Sequence, residues 1–214
     1  MPAIFAFALV LSLFLSDGGL PAARAPETPA KSLVFLGDSL TAGFGVERSE
    51  AFPALVAEKI RAANLPFEVQ NAGLSGDTSA GGLRRIDWLL QRPIDVLVIE
   101  LGANDGLRGL DLKSMKANLQ AIIDKAKTKN PAVKIVLAGM QVPPNLGPEY
   151  ANGFQRVFAD LAQDNNATLI PFLLEGVGGQ RDLNQADLIH PNPAGHRIIA
   201  DLVWRTLEPI LRKS

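Results

Sequence analysis

The chain contains no cysteine, only two histidines (His190 and His196) and a single tyrosine among its 214 residues. Without cysteine it can form no disulfide bond, thiolate zinc site or iron–sulfur cluster, and it has no cysteine nucleophile. Two histidines exclude a histidine-rich metal site and leave two candidates for a base that titrates near neutral pH. An excess of one charge is also lacking, because 21 Lys and Arg balance 22 Asp and Glu. A basic surface of the kind that binds nucleic acid is therefore not expected.

The first 25 residues predict a cleavable secretory signal peptide. Residues 3–15 form an uncharged, mostly apolar run, which suits the apolar region of a signal (~7–15 residues) and is short for a membrane span (~20 residues). Ala23-Arg24-Ala25 then matches the small-residue rule for a cleavage site. Cleavage after Ala22 or Ala23, an uncleaved anchor and a wrongly assigned start are the alternatives. We expect export to the periplasm or secretion.

The rest of the chain alternates strand-like and helix-like segments, with residues 26–31 as an expected linker and residues 32–214 as one domain. Short strand-like segments recur five times, all but the second largely apolar, and each is followed by a segment whose apolar residues repeat with a helical period. Five such β–α units indicate an α/β fold with a parallel sheet between two helical layers. The predicted strands cover residues 32–37, 67–71, 94–101, 133–140 and 167–172, and the predicted helices cover 52–63, 81–91, 111–128, 150–165 and 193–211.

Polar residues and glycines follow the predicted strands, at the edge where parallel α/β sheets bind ligands. Gly37-Asp38-Ser39-Leu40 follows the first strand, Gly102-Ala103-Asn104-Asp105 follows the third, and Asp187-Leu188-Ile189-His190 precedes the last helix. This set suits acyl transfer, because a serine hydroxyl needs a histidine to take its proton and the histidine needs a carboxylate to orient it. We expect Asp187 to reach His190 because three residues span about one turn of a helix-like loop.

An oxyanion that develops on a substrate needs preorganised hydrogen-bond donors. The backbone N–H groups of Ser39 and Gly76 and the side-chain amide of Asn104 are candidates. Each residue also has a simpler explanation: Ser39 as a helix N-cap, Gly76 and Asn104 as turn residues, and His190 as an exposed loop residue. The simpler explanations would all have to apply at once to residues that share one sheet edge. The catalytic interpretation explains the whole set and is therefore favoured. His196 lies inside the last predicted helix, and we interpret it as structural or exposed.

The blocks around Ser39, Gly76, Asn104 and His190 together resemble those of the SGNH (GDSL) hydrolases, over about residues 32–211. The Gly-x-Ser-x-Gly elbow of α/β-hydrolases is absent. The resemblance implies that Ser39 is the nucleophile, His190 its base and Asp187 the partner of His190. It also implies an oxyanion hole from Ser39, Gly76 and Asn104, a flavodoxin-like three-layer α/β/α fold with strand order 2-1-3-4-5, and no metal or cofactor.

Within that family the chain resembles the exported arylesterase, acyl-thioesterase and lysophospholipase branch. In that branch the loop after the fourth strand recognises substrate, which here implies residues 141–150. The chain departs from the branch at Ala103, where the branch often has glycine. The apolar residues of this loop suit an acyl chain or an aromatic leaving group better than a sugar, unless they merely pack against the core. The candidate substrate residues are Gln141, Val142, Pro143, Pro144 and Tyr150.

These observations predict a serine esterase that cleaves acyl or aryl esters through an acyl-enzyme intermediate. Thioesters and lysophospholipids are further candidate substrates. A carbohydrate acetyl-esterase with the same triad and a non-catalytic flavodoxin-like carrier of lipid or flavin are the alternatives. We expect a small-molecule ester as the partner, with no nucleic acid, stable membrane insertion or cofactor, and a monomer as the default state.

Overall fold

A computed structural model describes residues 30–214. The predicted signal peptide, residues 1–25, and residues 26–29 of the predicted linker lie outside the described residues. Lys31, the last residue assigned to that linker, is the first residue of the first strand. Within residues 30–214, no helix combines the length and the hydropathy needed to cross a bilayer.

Five parallel strands form one sheet in the order β2-β1-β3-β4-β5. This order and the parallel direction confirm the expected flavodoxin-like α/β fold. Strands β1 and β3 are buried almost throughout, which explains why their sequences are largely continuous apolar runs rather than alternating patterns. The strands are β1 (Lys31–Gly37), β2 (Phe67–Gly73), β3 (Val96–Glu100), β4 (Lys134–Ala138) and β5 (Thr168–Ile170).

The helices pack in two groups. In one group, the second helix of the chain contacts the last helix; in the other, the fifth helix contacts both the third and the sixth. The five long helices lie within a few residues of their predicted bounds. The two short helices are new, because four or five residues are too few to show a helical period. The helices are α1 (Ser39–Ala42), α2 (Phe52–Ala62), α3 (Ser79–Leu89), α4 (Ala103–Leu107), α5 (Leu112–Lys129), α6 (Pro148–Asn165) and α7 (Pro193–Leu211).

The short helix α1 corrects one of the simpler explanations for Ser39. Its N-cap is Asp38, whose carboxylate accepts the backbone N–H of Leu40 at 3.0 Å. Ser39 is the first residue inside the helix, so its hydroxyl is not engaged in capping. Similarly, Asn104 lies within α4 rather than in a simple turn.

His196 joins α7 to the beginning of α2. Its side chain is buried, its Nδ1 accepts the backbone N–H of Phe52 at 3.3 Å, and its ring stacks on the ring of Phe52. Burial lowers the pKa of His196 from 6.5 to about 4, so the ring is neutral at physiological pH and remains a hydrogen-bond acceptor. The structure thus agrees with the structural interpretation of this histidine.

We expect mild acid to destabilise the fold through His196. Its pKa is about 4 in the folded protein and 6.5 in the reference state, so the unfolded chain takes up the proton first. The contribution of the neutral ring to stability is present above about pH 6.5 and is lost as the pH falls towards 4, by about 2 kcal/mol at about pH 5. Urea denaturation at about pH 7 and pH 5 measures this change.

His196→Asn is the matched control, because its side-chain oxygen can still accept the Phe52 N–H but no ring is left to titrate. The variant should lose less free energy of unfolding between the two pH values than the wild type. Equal losses in the two proteins would contradict the assignment of this acid sensitivity to His196.

Candidate active site

The carboxyl ends of the three neighbouring strands β2, β1 and β3 lie level with one another. Gly37, at the end of β1, pairs with Gly73 of β2 on one side and with Glu100 of β3 on the other. The segments that follow these strands therefore leave the sheet side by side. Gly102, with a φ of 113° that favours glycine, then turns the chain from β3 into α4. This register brings the sequence blocks after the first three strands to one edge.

Ser39, His190 and Asp187 form a continuous hydrogen-bonded row at that edge. Ser39 Oγ lies 3.0 Å from His190 Nε2, and His190 Nδ1 lies 2.7 Å from Asp187 Oδ2. The imidazole is thus placed between a hydroxyl and a carboxylate, the order in which a serine can be deprotonated. The ring of Phe44 packs against the imidazole with a centroid separation of 4.7 Å, which restricts its rotation.

Asp187 is held in place by the turn that it forms. Its Oδ1 accepts the backbone N–H of Ile189 at 2.9 Å and that of His190 at 3.0 Å. Leu188, which lies between Asp187 and Ile189, has a φ of 60°. Three hydrogen bonds lower the pKa of Asp187 to about 2. The bond from the His190 N–H contributes most, followed by the bond with the imidazole and the bond from the Ile189 N–H. Asp187 thus reaches His190 as the spacing predicts, but the positive φ of Leu188 makes the segment a tight turn rather than a helix-like loop.

The candidate oxyanion donors lie around Ser39. Asn104 donates one amide hydrogen from Nδ2 to Asp38 Oδ2 at 3.0 Å, and since a primary amide has two, the second remains available. Within residues 30–214, neither the Ser39 N–H nor the Gly76 N–H is donated to a backbone carbonyl. Gly76 has a φ of 78°, a conformation that glycine adopts without strain.

Arg108 is a residue of this site that the sequence did not indicate. Its Nη2 donates to the carbonyl of Gly76 at 3.1 Å and lies 3.5 Å from Asn104 Oδ1. It therefore links two of the candidate oxyanion residues from the solvent side. Residues four apart lie on the same face of a helix, and Arg108 stands four residues after Asn104. This spacing would have indicated their contact if the short helix α4 had been predicted.

Arg85 of α3 is a second such residue, and it fixes the loop that contains Gly76. Its Nε donates to Asp77 Oδ2 at 2.7 Å, its Nη1 to the carbonyl of Ala72 at 2.7 Å and its Nη2 to the carbonyl of Gly37 at 2.9 Å. One guanidinium thus joins the ends of β1 and β2 to the residue beside Gly76.

An apolar cleft of about 520 Å³ opens beside Ser39, and Ala103 and Asn104 also line it. Its other walls come from the loops after β3, β4 and β5 and from the turn that carries His190. These walls can accommodate a hydrocarbon group next to the nucleophile. Their apolar side chains are Leu107, Met140, Val142, Pro143, Phe172, Leu174, Leu188 and Ile189.

The candidate substrate residues of the loop after β4 divide into two groups. Gln141, Val142 and Pro143 line the cleft, and Pro144 begins a 3₁₀ turn. Tyr150 does not line this cleft, and its assignment as a substrate contact stays a prediction. It lies in the first turn of α6, and its hydroxyl donates to the carbonyl of Leu110 at 2.8 Å, which ties this loop to the segment after α4.

In the part of the chain that the structure describes, no group of three or more Asp, Glu or His side chains is arranged to hold a metal ion. The chemistry available from these side chains is proton transfer and nucleophilic attack.

Sequence and structure comparisons relate the chain to esterases. Residues 35–198 match the GDSL-like lipase/acylhydrolase family. The chain is 41% identical over 187 residues to esterase TesA of Pseudomonas aeruginosa, covering 86% of this chain and 92% of that protein. It is 38% identical to thioesterase 1/protease 1/lysophospholipase L1 of Escherichia coli K12, covering 85% and 86%. A crystal structure of the psychrotrophic esterase EstA from Pseudoalteromonas sp., inhibited by monoethylphosphonate, gives a TM-score of 0.80 at 36% identity, covering 85% of this chain and 99% of that one.

Replacing Arg108 with alanine should lower kcat/KM for an ester about 2- to 10-fold. The guanidinium holds two loops through solvent-exposed hydrogen bonds, which contribute about 0.5–1.5 kcal/mol each. The measurement is ester hydrolysis beside Arg92→Ala, which removes an exposed arginine that precedes β3 at the opposite edge of the sheet. Equal activity of the two variants would exclude a contribution of Arg108 to the site.

Proposed function

The chain belongs to the GDSL-like lipase/acylhydrolase family, and on that premise we propose that Ser39, His190 and Asp187 are the catalytic triad of an ester-cleaving serine hydrolase. Family membership confirms the resemblance drawn from the sequence blocks, and the relatives named as esterase and thioesterase make the chain an ester-cleaving enzyme. The observation that carries the residue assignment is the row from Ser39 Oγ through the imidazole to the Asp187 carboxylate.

The first half of the reaction acylates Ser39. Its Oγ attacks the carbonyl carbon of the ester while its proton passes to His190 Nε2, at the observed separation of 3.0 Å. Asp187 stabilises the resulting imidazolium and keeps Nε2 directed at the nucleophile. When the tetrahedral intermediate collapses, the ester C–O bond breaks and the departing alcohol takes the proton from His190. Water then repeats the sequence on the acyl-enzyme and releases the acid.

The negative oxygen of each tetrahedral intermediate needs donors that are already in position. We assign this role to the backbone N–H groups of Ser39 and Gly76 and to the free amide hydrogen of Asn104. All three belong to segments that start from neighbouring strand ends, which supports their convergence on one point. Preorganised donors of this kind stabilise the transition state more than the ground state.

The substrate that best suits the site is an ester with a medium or long acyl chain, and lysophospholipids and thioesters are included in the proposal. The apolar cleft and the exposed apolar side chains at its mouth, among them Leu107 and Ile189, support it. One relative is named both a thioesterase and a lysophospholipase. The N-terminal pattern of residues 1–25 supports action after export, with the signal removed.

Ser39→Ala should lower kcat by at least about 10³-fold and leave the fold intact, because only the nucleophile is removed. The measurement is hydrolysis of p-nitrophenyl esters from acetate to palmitate, with circular dichroism as the check on folding. Ser49→Ala, at an exposed serine outside the cleft, is the matched control and should keep full activity. Undiminished hydrolysis by folded Ser39→Ala, or no hydrolysis by the wild type, would contradict the proposal.

The same ester series tests the substrate class. We expect kcat/KM to be highest for medium or long chains, and Leu107→Trp, which narrows the cleft, should reduce long-chain activity more than acetate activity. Leu110→Trp is the control, since this leucine is similarly exposed but lies outside the cleft lining. A strict preference for acetate, unchanged in both variants, would favour a carbohydrate acetyl-esterase instead.

A further inference from the structure

Two buried carboxyl groups lie next to Ser39, and the reaction steps above do not use them. Asp38 precedes the nucleophile, and Glu100 ends β3; their exposed fractions are 1% and 0%. The pairing of Gly37 with Glu100 sets them side by side, and Glu100 Oε2 accepts the backbone N–H of Asp38 at 3.2 Å. The space exists because residue 37 is glycine, since a Cβ there would overlap the Glu100 carboxyl and the Thr41 hydroxyl.

The hydrogen-bond donors around the pair are unevenly distributed. Asp38 accepts one donor on each oxygen, the Leu40 N–H at 3.0 Å and the Asn104 amide at 3.0 Å. Glu100 Oε2 accepts the Asp38 N–H at 3.2 Å and the Thr41 hydroxyl at 2.7 Å. The other oxygen, Glu100 Oε1, is buried and accepts no hydrogen bond from the described residues.

This distribution places a proton on Glu100 rather than on Asp38. Two ionised carboxylates side by side and away from water repel each other, so a proton on one of them stabilises the pair. Asp38 has a donor on each oxygen, which stabilises its charged form. An ionised Glu100 would leave a buried carboxylate oxygen without any donor, which is the more unfavourable arrangement.

The charged groups nearby do not alter this assignment. Arg85 reaches the carbonyl of Gly37, but its carboxylate partner is Asp77. Burial raises the pKa of Asp38, whereas the hydrogen bonds from Leu40 and Asn104 and, after them, a charge on His190 favour its ionised form. The neighbouring strand β4 is apolar over its buried residues. Burial, and after it the charge of Asp38, raise the pKa of Glu100 well above its usual value.

We propose that Glu100 is a positioning residue, which carries a proton at neutral pH and, through its hydrogen bond to Asp38, fixes the Asn104 amide as a donor in the oxyanion hole. The inference rests on the proposed function. An ionised Asp38 can only accept hydrogen bonds, so Asn104 must present its nitrogen rather than its oxygen. The second hydrogen on that nitrogen is then the one available to the cleft beside Ser39.

Substitutions at position 100 separate a neutral acid from a carboxylate. Glu100→Gln can accept from the Asp38 N–H and the Thr41 hydroxyl and can donate to Asp38, so kcat should stay within about 3-fold of the wild type. Glu100→Met cannot donate, so we expect kcat to fall about 10- to 100-fold, with KM nearly unchanged, because the oxyanion forms only after binding. Rescue by glutamine distinguishes positioning from a need for the charge. A loss of about 100-fold in folded Glu100→Gln, or a wild-type kcat in Glu100→Met, would overturn the proposal.

Infrared spectroscopy tests the proton without measuring activity. At about pH 8 the wild type should show the carbonyl band of a protonated carboxylic acid, and Glu100→Gln should lack it. Glu208→Gln, which removes an acid paired with Arg212 near the C-terminus, is the control and should retain the band. Absence of the band from the wild type would overturn the proposal. Because this readout needs no turnover, it also judges Glu100 if full activity in Ser39→Ala were to disprove the proposed function.

Discussion

The parallel pairing that sets Gly37 level with Gly73 and Glu100 is the constraint on which the site depends. Strands β1 and β3 are buried and largely apolar, so hydrophobic burial and the ladder of backbone hydrogen bonds, which also includes β2, fix the register together. Once the register is set, the nucleophile and the donors start from adjacent points. A slip by one residue would place Glu100 away from the gap that Gly37 leaves, and the buried carboxyl pair could not form. The core therefore determines the alignment of the site.

The parts of the fold that can be read from the sequence are those with strong local patterns. The five long helices show a helical period, and the strands are short segments between them. The Ser39 block stands directly after a strand, and the block with Asp187 and His190 stands just before the last helix. The short helices α1 and α4 give too few residues for a period. The sequence places Tyr150 where the loop after the fourth strand meets the next helix, but it cannot show that the Tyr150 hydroxyl donates to the carbonyl of Leu110.

The supporting contacts could not be predicted because they join residues far apart in the chain. Arg85 and Gly37 are separated by 48 positions, and Asp38 and Glu100 by 62. A weak signal did exist for Glu100, which is the last residue of the otherwise apolar β3. Whether such a residue is ionised depends on how many donors reach each oxygen. Asp187 and Glu100 show this contrast within one site: backbone N–H groups lower the pKa of the first, and burial raises that of the second.

The Asn104 amide is held at both ends, and the two ends differ in strength. Its oxygen faces Arg108 at the solvent-exposed side, at 3.5 Å, whereas its nitrogen donates to buried Asp38 at 3.0 Å. Both partners of the amide are charged, but the contact with Arg108 is longer, and water and salt weaken it, whereas the shorter bond to Asp38 is shielded from solvent. The interior contact therefore decides which atom of the amide faces the cleft, and Arg108 refines the position of the loop. The hydrogen bond to the Asn104 nitrogen requires Asp38 to remain ionised although it is buried. A protonated Glu100 beside it makes this possible because it adds no second buried charge.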